Sequence, residues 1–471
     1  MVHVLTPNAP PGNKTHDTPT GTGPAADALV QTIEELVAHF QRGSKATAQQ
    51  RVGLEHEKIG VALDPDGGVR PLPYEDAPGR PQIRTLLHGL VEKSWQPVRE
   101  GENVIALRRA GASVTLEPGG QFELSGRPQP TEAECSAELD EHLRELLPLA
   151  ESTGVAFLGC GFRPLGTWGE VPYMPKGRYR VMREYLPTRG ALGVEMMKRT
   201  ATVQANLDFT SEADAVAKMR LGIGLGPLVT AIYAASPLVD GKDSGYKSYR
   251  ASCWLDTDPD RCGILPFMFR EDAGFRAYTE WALDVPMFFV YRHGTYTPAG
   301  GLTFRRFMAE GFGAERATLA DWELHLSTLF PEARLKQYVE LRSADAGPLP
   351  MIRALPALWR GLFYSDASQA AAWALVADLT IEEREQLRRE VPRRGLQTRL
   401  RGRELAPLCA ELCRIAQAGL RALGGGPGVD YLEPLLAGAL AGRCPADDIL
   451  AAFTAAGGNP RAFVDKVRLR L

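Results

Sequence analysis

The chain has 471 residues, with 54 lysines and arginines against 57 aspartates and glutamates, and its formal net charge is −3. This balance provides no basic footprint for nucleic acid or for an anionic membrane surface, so it favours chemistry on small molecules. The length fits two or three ordinary domains or one unusually large catalytic domain.

The N-terminal segment, residues 1–26, is rich in Pro, Gly, Thr and Asn and lacks an apolar core. This composition predicts a disordered tail rather than a secretory signal, and hence a cytoplasmic protein. The seven cysteines are too few and too scattered for a disulfide framework, so reduced thiols are expected. Cys253 and Cys262 flank a turn-like segment, which leaves a redox clip between them open.

Hydrophobic periodicity predicts a first amphipathic helix over 26–41 and a second over 131–154. Further helices are expected to begin near Ser211 and Thr380, and capping-box sequences open the second helix and the one near Thr380. Between the helices lie strand candidates, at 52–63, 103–108, 112–125, 201–209, 286–292 and 337–342.

The strand candidates alternate polar and apolar residues instead of forming continuous Val/Ile runs. This pattern predicts an α+β fold with an antiparallel or mixed sheet that has one solvated face, not a doubly wound parallel sheet. From residue 354 onward the pattern is nearly all helical, and a glycine-rich break at 424–428 predicts a linker to a short helical tail. No membrane span is expected, because the weakly polar stretch 221–235 is too short and contains Pro227.

Acidic and amide side chains recur at strand spacing in several segments. Residues two apart on a strand share a face, so GLEHEK aims Glu55 and Glu57 in one direction. TVQANLD likewise places Gln204 and Asn206 on a polar face and its Val, Ala and Leu residues on the other. Taken alone, each segment also fits the solvated face of an ordinary antiparallel strand.

A second pair of glutamates brackets a glycine turn. Glu117 and Glu123 flank Pro118, Gly119 and Gly120, and the glycines let the backbone kink so that both carboxylates can aim at one point. Carboxylates gathered in one place repel strongly and must protonate, disperse or bind cations. Oxygen ligands without clustered cysteine or histidine suit Mg²⁺ or Mn²⁺ and disfavour zinc.

Arginines near these segments point to anionic substrates. YVELR places Glu340 and Arg342 on one strand face, which combines a further metal ligand with a fork of donors suited to phosphate, as phosphoryl transfer requires. No Gly-rich loop ending in Gly-Lys-Ser/Thr is present. Arg178 and Arg250 lie in loop-rich segments with aromatic neighbours and suit the α-carboxylate of an amino acid; surface salt bridges are the alternative for each.

Nine sequence blocks carry a family resemblance. They are, in order, GLEHEK, LEPGGQFELSG, FLGCGFRP, MPKGRYRVMREYLP, MMKRTATVQANLDF, SYRASCWLDTDPDR, ALDVPMFFVYR, HLSTLFPEARLKQYVELRSAD and LEPLL. Together they resemble the plant-type glutamate-cysteine ligases, which also occur in bacteria. The resemblance runs from about residue 30 almost to the end of the chain.

This resemblance implies a glutamine-synthetase-like fold, in which a curved, mostly antiparallel sheet forms a funnel lined by metal ligands, with helices packed outside. It implies that ATP phosphorylates the γ-carboxylate of glutamate and that the cysteine amine then displaces phosphate, giving γ-glutamylcysteine for glutathione or a related thiol. The implied Mg²⁺ ligands are Glu55, Glu57, Glu117, Glu123, Gln204 and Glu340. Arg342 is implied to neutralise the transferring phosphoryl group, and the implied glutamate pocket comprises Arg178, Arg250 and Trp254.

One departure from the family pattern concerns the acceptor. Phe288 stands where the family has a tyrosine expected near the acceptor pocket, which leaves open a γ-glutamyl ligase that uses a different amine. A non-catalytic relative that keeps the fold is the other alternative. The expected organisation is a tail at 1–26, a catalytic domain at 27–423 and a helical extension at 424–471 packed on it, in a monomer or homodimer without nucleic-acid or membrane partners.

Overall fold

The computed structural model of the protein describes residues 28–471, so the predicted tail at 1–26 lies outside the described residues. The strands in chain order are β1 (Val52–Leu63), β2 (Val69–Pro71), β3 (Gln96–Glu100), β4 (Asn103–Arg109), β5 (Ala112–Leu116), β6 (Phe122–Ser125), β7 (Val155–Leu158), β8 (Val203–Leu207), β9 (Leu238–Val239), β10 (Lys242–Asp243), β11 (Cys262–Gly263), β12 (Phe289–Arg292), β13 (Thr295–Pro298), β14 (Phe330–Pro331), β15 (Ala333–Leu335), β16 (Val339–Leu341), β17 (Arg399–Leu400) and β18 (Arg403–Glu404).

The helices surround these strands in sequence and in space. They are α1 (Ile33–Gln41), α2 (Ile83–Val91), α3 (Glu132–Ser152), α4 (Gly177–Tyr185), α5 (Gly193–Arg199), α6 (Glu212–Tyr233), α7 (Tyr249–Cys253), α8 (Phe275–Asp284), α9 (Phe304–Glu310), α10 (Leu319–Leu326), α11 (Leu349–Phe363), α12 (Asp366–Ala374), α13 (Ile381–Arg394), α14 (Ala406–Ala422), α15 (Gly428–Tyr431), α16 (Glu433–Ala441), α17 (Pro445–Ala455) and α18 (Pro460–Val467).

One 10-stranded sheet organises the molecule, with the strand order β15-β16-β8-β1-β6-β5-β4-β3. Strand β1 is 12 residues long, and its C-terminal half turns to pair with β2 and β7 instead. Every pairing in this sheet is antiparallel. The antiparallel α+β fold predicted from the alternating strands is therefore confirmed.

The two faces of the central strands differ in chemistry, as their alternation requires. Leu54, Val203, Ala205 and Leu207 belong to the main hydrophobic core, and α11 packs against β1 and β8. The opposite, polar face was expected to be solvated, and that expectation is wrong. Its side chains are buried as well, with Glu55 only 3% exposed, because they line an internal site rather than an outer surface.

Element boundaries differ from the sequence-based ones where local turns intervene. The predicted strand 112–125 is two strands, β5 and β6, joined by the glycine turn. The first helix begins at Ile33 rather than near 26, because Thr32 caps it and forms a capping box with Glu35. The edge strand β3 was missed; its side chains are mostly exposed and its pairing with β4 contains a register shift.

Helix α6 illustrates why apolar length alone does not indicate a membrane span. Among the described residues it is long and apolar enough to cross a bilayer, but 89% of its most apolar window is buried inside the protein. It packs against β15, β16 and several helices. The helix is thus accounted for as a core helix.

The cysteines and the C-terminal helices complete the fold. The structure records all seven cysteines as free thiols, so the clip between Cys253 and Cys262 is not formed here. Helices α15 to α18 follow the glycine-rich break, and the chain end returns to the sheet. Gly159 N–H donates to Val467 O at 2.9 Å, and Leu469 N–H donates to Phe157 O at 2.7 Å, so the C-terminal segment lies along β7.

Candidate active site

A cavity of about 100 Å³, which we call the central cavity, lies on the polar face of the sheet. It draws its walls from β1, β8, the glycine turn, α4, α5 and the segments around β14 to β16. Its wall includes most of the predicted site residues, namely Glu55, Glu57, Glu117, Glu123, Gln204, Arg178, Arg250, Trp254 and Arg342. Two predicted residues, Glu340 and Phe288, are not part of the wall.

Strand register explains how these distant acids converge. Glu55 lies directly opposite Gln204 in the β1–β8 pairing, and Glu57 lies opposite Glu123 in the β1–β6 pairing. On β16, Glu340 lies opposite Asn206 of β8. Because opposed residues on antiparallel strands point to the same face, a single register places all of these groups on one side of the sheet.

The carboxylates are held by short hydrogen bonds. Gln204 Nε2 donates to Glu55 Oε2 at 3.0 Å, and Asn206 Nδ2 donates to Glu55 Oε1 at 2.7 Å. Thr115 Oγ1 donates to Glu123 Oε2 at 2.6 Å, while Thr202 N–H donates to a Glu57 oxygen at 2.9 Å. These donors fix the directions of the carboxylate oxygens.

The glycine turn brings Glu117 to the same cavity. Gly120 adopts a φ of 81°, which favours glycine, and its N–H donates to Glu117 O at 2.8 Å. At Gly119 a Cβ would lie 2.0 Å from Lys198 O, so any larger residue would push the turn away from α5. Gln121 closes the turn by donating to Thr200 O at 2.7 Å.

The clustering of acids in the cavity shifts the pKa of one of them, Glu57. Burial, followed by the negative charge of Glu117, raises the pKa of Glu57 from 4.5 to about 8. Arg250 and Arg342 lower that pKa but do not offset the burial. Because the proton competes with any cation for this carboxylate, the group is poised to exchange a proton for a metal ion.

Glu340 lies within a cluster of cations behind the cavity wall. Its carboxylate is fully buried and pairs with Arg334 at 2.6 Å, Lys336 at 3.0 Å and Arg342 at 2.5 Å. Arg342 Nη1 also donates to Gln204 Oε1 at 3.0 Å. Glu340 therefore connects Arg334 and Arg342, two of the arginines that line the cavity. Metal ligation by Glu340 stays a prediction that requires exchange of these ion pairs.

The Arg342 side chain is framed by two aromatic rings. Its guanidinium carbon lies 5.6 Å from the ring centroids of both Trp254 and Phe330. These rings and the bonds to Gln204 and Glu340 leave the guanidinium little freedom. The planar group is thus presented to the central cavity in a fixed orientation.

Two further arginines, predicted for an amino-acid carboxylate, reach the cavity from other elements. Arg178 lies near the start of α4, over the Phe289 ring at 5.8 Å. Arg250 lies on α7, and its Nη2 donates to Arg342 O at 2.9 Å. Both side chains are buried, so neither is the surface salt bridge weighed as the alternative.

Phe288 was predicted to lie near the acceptor pocket. It is buried one layer behind the cavity, with its ring 6.5 Å from Phe330, 5.0 Å from Tyr185 and stacked on the Arg261 guanidinium at 3.8 Å. Its role near the acceptor pocket stays a prediction.

The donor set fits a hard divalent cation. Within residues 28–471, no group of three or more His, Cys, Asp or Glu side chains forms a ready metal cage, since the carboxylates here turn to hydrogen-bond donors. The cavity nevertheless offers several carboxylates, and the nearby Asn206 Oδ1 is buried and has no hydrogen-bond partner among the described residues. Such oxygen ligands suit Mg²⁺ or Mn²⁺.

Some residues in and around the cavity were not predicted from the sequence. Arg334 lines the cavity and faces Glu340 across the β15–β16 pairing, a contact that a hairpin over 333–341 would have indicated. The buried Glu340 carboxylate outweighs the opposing effect of burial and raises the pKa of Arg334. Thr115, which donates to Glu123 but does not line the cavity, was also missed, because 112–125 was predicted as one strand.

Comparisons of the sequence with known proteins identify glutamate-cysteine ligases. The profile of glutamate-cysteine ligase family 2 matches residues 51–466. The chloroplastic glutamate-cysteine ligase of Nicotiana tabacum is 46% identical over 411 residues, covering 85% of this chain and 77% of the relative. That of Brassica juncea is 42% identical over 444 residues, covering 93% of this chain and 84% of the relative.

A solved structure shares the fold at much lower sequence identity. The glutamate-cysteine ligase of Francisella tularensis, solved in complex with AMP, aligns with a TM-score of 0.55 at 14% identity. The alignment covers 90% of this chain and 88% of that one. The plant relatives are named as chloroplastic proteins, and this finding contradicts the cytoplasmic location predicted from the sequence.

Proposed function

Because this chain belongs to glutamate-cysteine ligase family 2, we propose that the central cavity is where its ligase reaction takes place. The protein is a glutamate-cysteine ligase, a member of an ATP-dependent ligase family, and it makes γ-glutamylcysteine in glutathione biosynthesis. The assignment of substrates and roles to individual residues is our proposal.

The reaction proceeds in two displacements. A γ-carboxylate oxygen of glutamate attacks the γ-phosphorus of ATP, which forms γ-glutamyl phosphate and releases ADP. The cysteine amine then attacks the γ-carbonyl carbon, the bond to phosphate breaks, and the amine loses a proton as the amide forms. The enzyme has to position three anionic partners and stabilise the charge that develops on phosphate oxygens.

Four carboxylates and an amide form the proposed metal site. Glu55, Glu57, Glu117, Glu123 and Gln204 would hold Mg²⁺, with Mn²⁺ as the alternative. When bound, the metal neutralises and orients the phosphates of ATP. Glu340 takes part chiefly by holding Arg334 and Arg342 in place, since its oxygens already accept from both; it becomes a ligand only if those bonds exchange.

Arg342 is the proposed stabiliser of the transferring phosphoryl group. Its guanidinium carries a fixed charge, and its planar fork can donate two hydrogen bonds to neighbouring phosphate oxygens. The contacts with Gln204 and Glu340 support this role because they fix the group before substrate arrives. Arg334, on the neighbouring strand, adds a second positive charge to the same wall.

Arg178 and Arg250 are the proposed clamps on the carboxylates of glutamate, and Trp254 walls the same pocket. Buried guanidinium groups bind carboxylates strongly because water does not compete for them. Both arginines line the central cavity together with the β1 glutamates, from α4 and α7, and this supports a carboxylate pocket beside the proposed metal site. The substrate γ-carboxylate would then extend toward the metal site.

We also propose the domain organisation expected from the sequence, with a catalytic domain over 27–423 and an extension over 424–471. All proposed site residues fall within the first of these. The hydrogen bonds that join Val467 and Leu469 to the end of β7 support packing of the extension on the catalytic domain.

The observation that carries the site assignment is the strand register that pairs Glu55 with Gln204 and Glu57 with Glu123 on the wall of one cavity. The test is ADP release by the purified chain with Mg²⁺ and ATP, measured with glutamate and cysteine together and with each omitted. We expect turnover only when both are present. Absence of cysteine-stimulated turnover would reject the function, and another amine that exceeds cysteine in kcat/KM would redefine the acceptor.

A further inference from the structure

Asp345 is a buried carboxylate outside the central cavity, and two of its three hydrogen bonds lead to helix α7. It follows β16 in the chain and is 1% exposed. Its Oδ2 accepts from Ser236 Oγ at 2.6 Å and from Ala235 N–H at 2.9 Å, and its Oδ1 accepts from Ser248 Oγ at 2.8 Å. This is a fully built set of donors around one anion.

Both serines pass the connection on to α7. Ser248 is the N-cap of α7, and its Oγ accepts from Ala251 N–H at 3.1 Å. Ser236 Oγ accepts from the Arg250 N–H, also at 3.1 Å. Asp345 is therefore connected through two hydroxyl groups to the first turn of α7, at the backbone N–H groups of Arg250 and Ala251.

The side chain of Arg250 faces the same carboxylate. Its Nη1 lies 3.7 Å from Asp345 Oδ1, and both side chains are almost completely buried. A buried guanidinium needs a compensating anion, and removing the partner of such a pair is strongly unfavourable. Because burial lowers the pKa of Arg250 while Asp345 raises it, the aspartate helps to keep this arginine charged.

Asp345 does not line the central cavity, and among the partners of its carboxylate named above Arg250 is the one that does. The Arg250 guanidinium is anchored at one end by Asp345 and at the other by the Arg342 carbonyl, to which Nη2 donates. Its Nε makes no hydrogen bond within residues 28–471. The direction of the Arg250 guanidinium is thus fixed, and its Nε–H is still available as a hydrogen-bond donor.

We propose that Asp345 is a positioning residue for glutamate binding, which sets the direction of the Arg250 guanidinium through Ser236, Ser248 and the direct ion pair. The inference rests on the proposed role of Arg250 as a carboxylate clamp. It assigns a function to a residue that touches no substrate. Its signature is an effect on glutamate affinity that disappears when Arg250 is absent.

The test is a double-mutant cycle in the full chain with Asp345→Asn and Arg250→Ala. Each single variant is expected to raise the KM for glutamate about tenfold or more, with the KM for ATP and for cysteine changed less than about threefold. In the Arg250→Ala background, Asp345→Asn is expected to add less than about twofold, because the group through which it acts is gone.

A matched control is Asp321→Asn, because Asp321 is also a buried aspartate and pairs with Arg292 at 2.6 Å. It caps α10 outside the central cavity, so it should lower thermal stability without changing the KM for glutamate. Ser236→Ala serves if Asp345→Asn does not fold; it removes one hydroxyl link and should raise the KM for glutamate by a smaller factor than Arg250→Ala.

The outcomes separate the inference from the proposed function. If the wild-type chain shows no turnover that requires glutamate and cysteine, the proposed function falls. If Arg250→Ala leaves the KM for glutamate unchanged, the clamp assignment falls. The role of Asp345 is overturned, while the function stands, if Arg250→Ala raises that KM but Asp345→Asn and Ser236→Ala do not. It is also overturned if the effects of Asp345→Asn and Arg250→Ala on that KM simply multiply.

Discussion

Replacing Arg342 with lysine separates charge from geometry at the proposed phosphoryl site. The substitution keeps one positive charge near the cavity but removes the planar fork. In the structure Arg342 Nη1 donates to Gln204 at 3.0 Å and to Glu340 at 2.5 Å, and the guanidinium carbon lies 5.6 Å from the centroids of two aromatic rings. A lysine ammonium is a single, strongly hydrated point charge that cannot offer two parallel donors to neighbouring phosphate oxygens.

The expected loss falls on kcat. Removing one well-placed donor from a developing negative charge typically lowers kcat about 100- to 1,000-fold, or about 2.7–4 kcal/mol. Ground-state binding should change little, since in our assignment glutamate is held by Arg178 and Arg250 and the phosphates by metal. The KM values for glutamate and ATP are therefore expected to stay within about threefold of wild type.

The assay is steady-state ADP release with each substrate varied in turn, together with thermal unfolding of each protein. Arg360→Lys is the matched control, because Arg360 has the same 12% side-chain exposure as Arg342 and pairs with Glu132 at 2.8 Å, but does not line the central cavity. It should turn over normally. The reasoning is refuted if Arg342→Lys retains wild-type kcat, or if its main effect is on KM at unchanged kcat.

Three further predictions concern the acids, the clamp and the metal. The folded-state pKa of Glu57, about 8, lies above its ordinary value of 4.5, so its contribution to metal-free stability is complete below about pH 4.5 and is lost as pH rises through 8. In EDTA, the melting temperature of Glu57→Gln should therefore exceed that of wild type at pH 9 but not at pH 5. The control Glu141→Gln, at an exposed position, should show no such trend. A difference at Glu57 that does not change with pH would contradict this prediction. Arg178→Ala should raise the KM for glutamate about tenfold and leave that for cysteine nearly unchanged, whereas equal rises would indicate a structural role. Chelation with EDTA should abolish ADP release and added Mg²⁺ or Mn²⁺ should restore it; turnover that persists without divalent ions would exclude the metal assignment.

The strand chemistry of the site was predictable from local patterns because the side-chain period of a strand is fixed. The pairs Glu55 with Glu57, and Gln204 with Asn206, required only that period, and the antiparallel sheet followed from polar alternation. The glycine turn between Glu117 and Glu123 was likewise visible as two adjacent glycines. These features depend on neighbours in sequence.

The remaining features depend on register between distant segments. Arg334 and Asp345 are ordinary residues in sequence, and only the pairing of β15 with β16 and the approach of α7 give them partners. The same reason explains the wrong solvated face. Alternation distinguishes polar from apolar sides, but whether the polar side meets water or a closed cavity is decided by what packs over it. The position of Phe288 beside Phe330 depends in the same way on packing between distant segments.

The most direct test of the account is anomalous diffraction from crystals grown with Mn²⁺ and a non-hydrolysable ATP analogue. We predict anomalous peaks inside the central cavity, within about 2.0–2.3 Å of oxygens from Glu55, Glu57, Glu117 or Glu123. The triphosphate should lie against Arg342. Ordered metal and nucleotide bound elsewhere, with these carboxylates still engaged only with Gln204, Asn206, Thr115 and Thr202, would contradict the central claim.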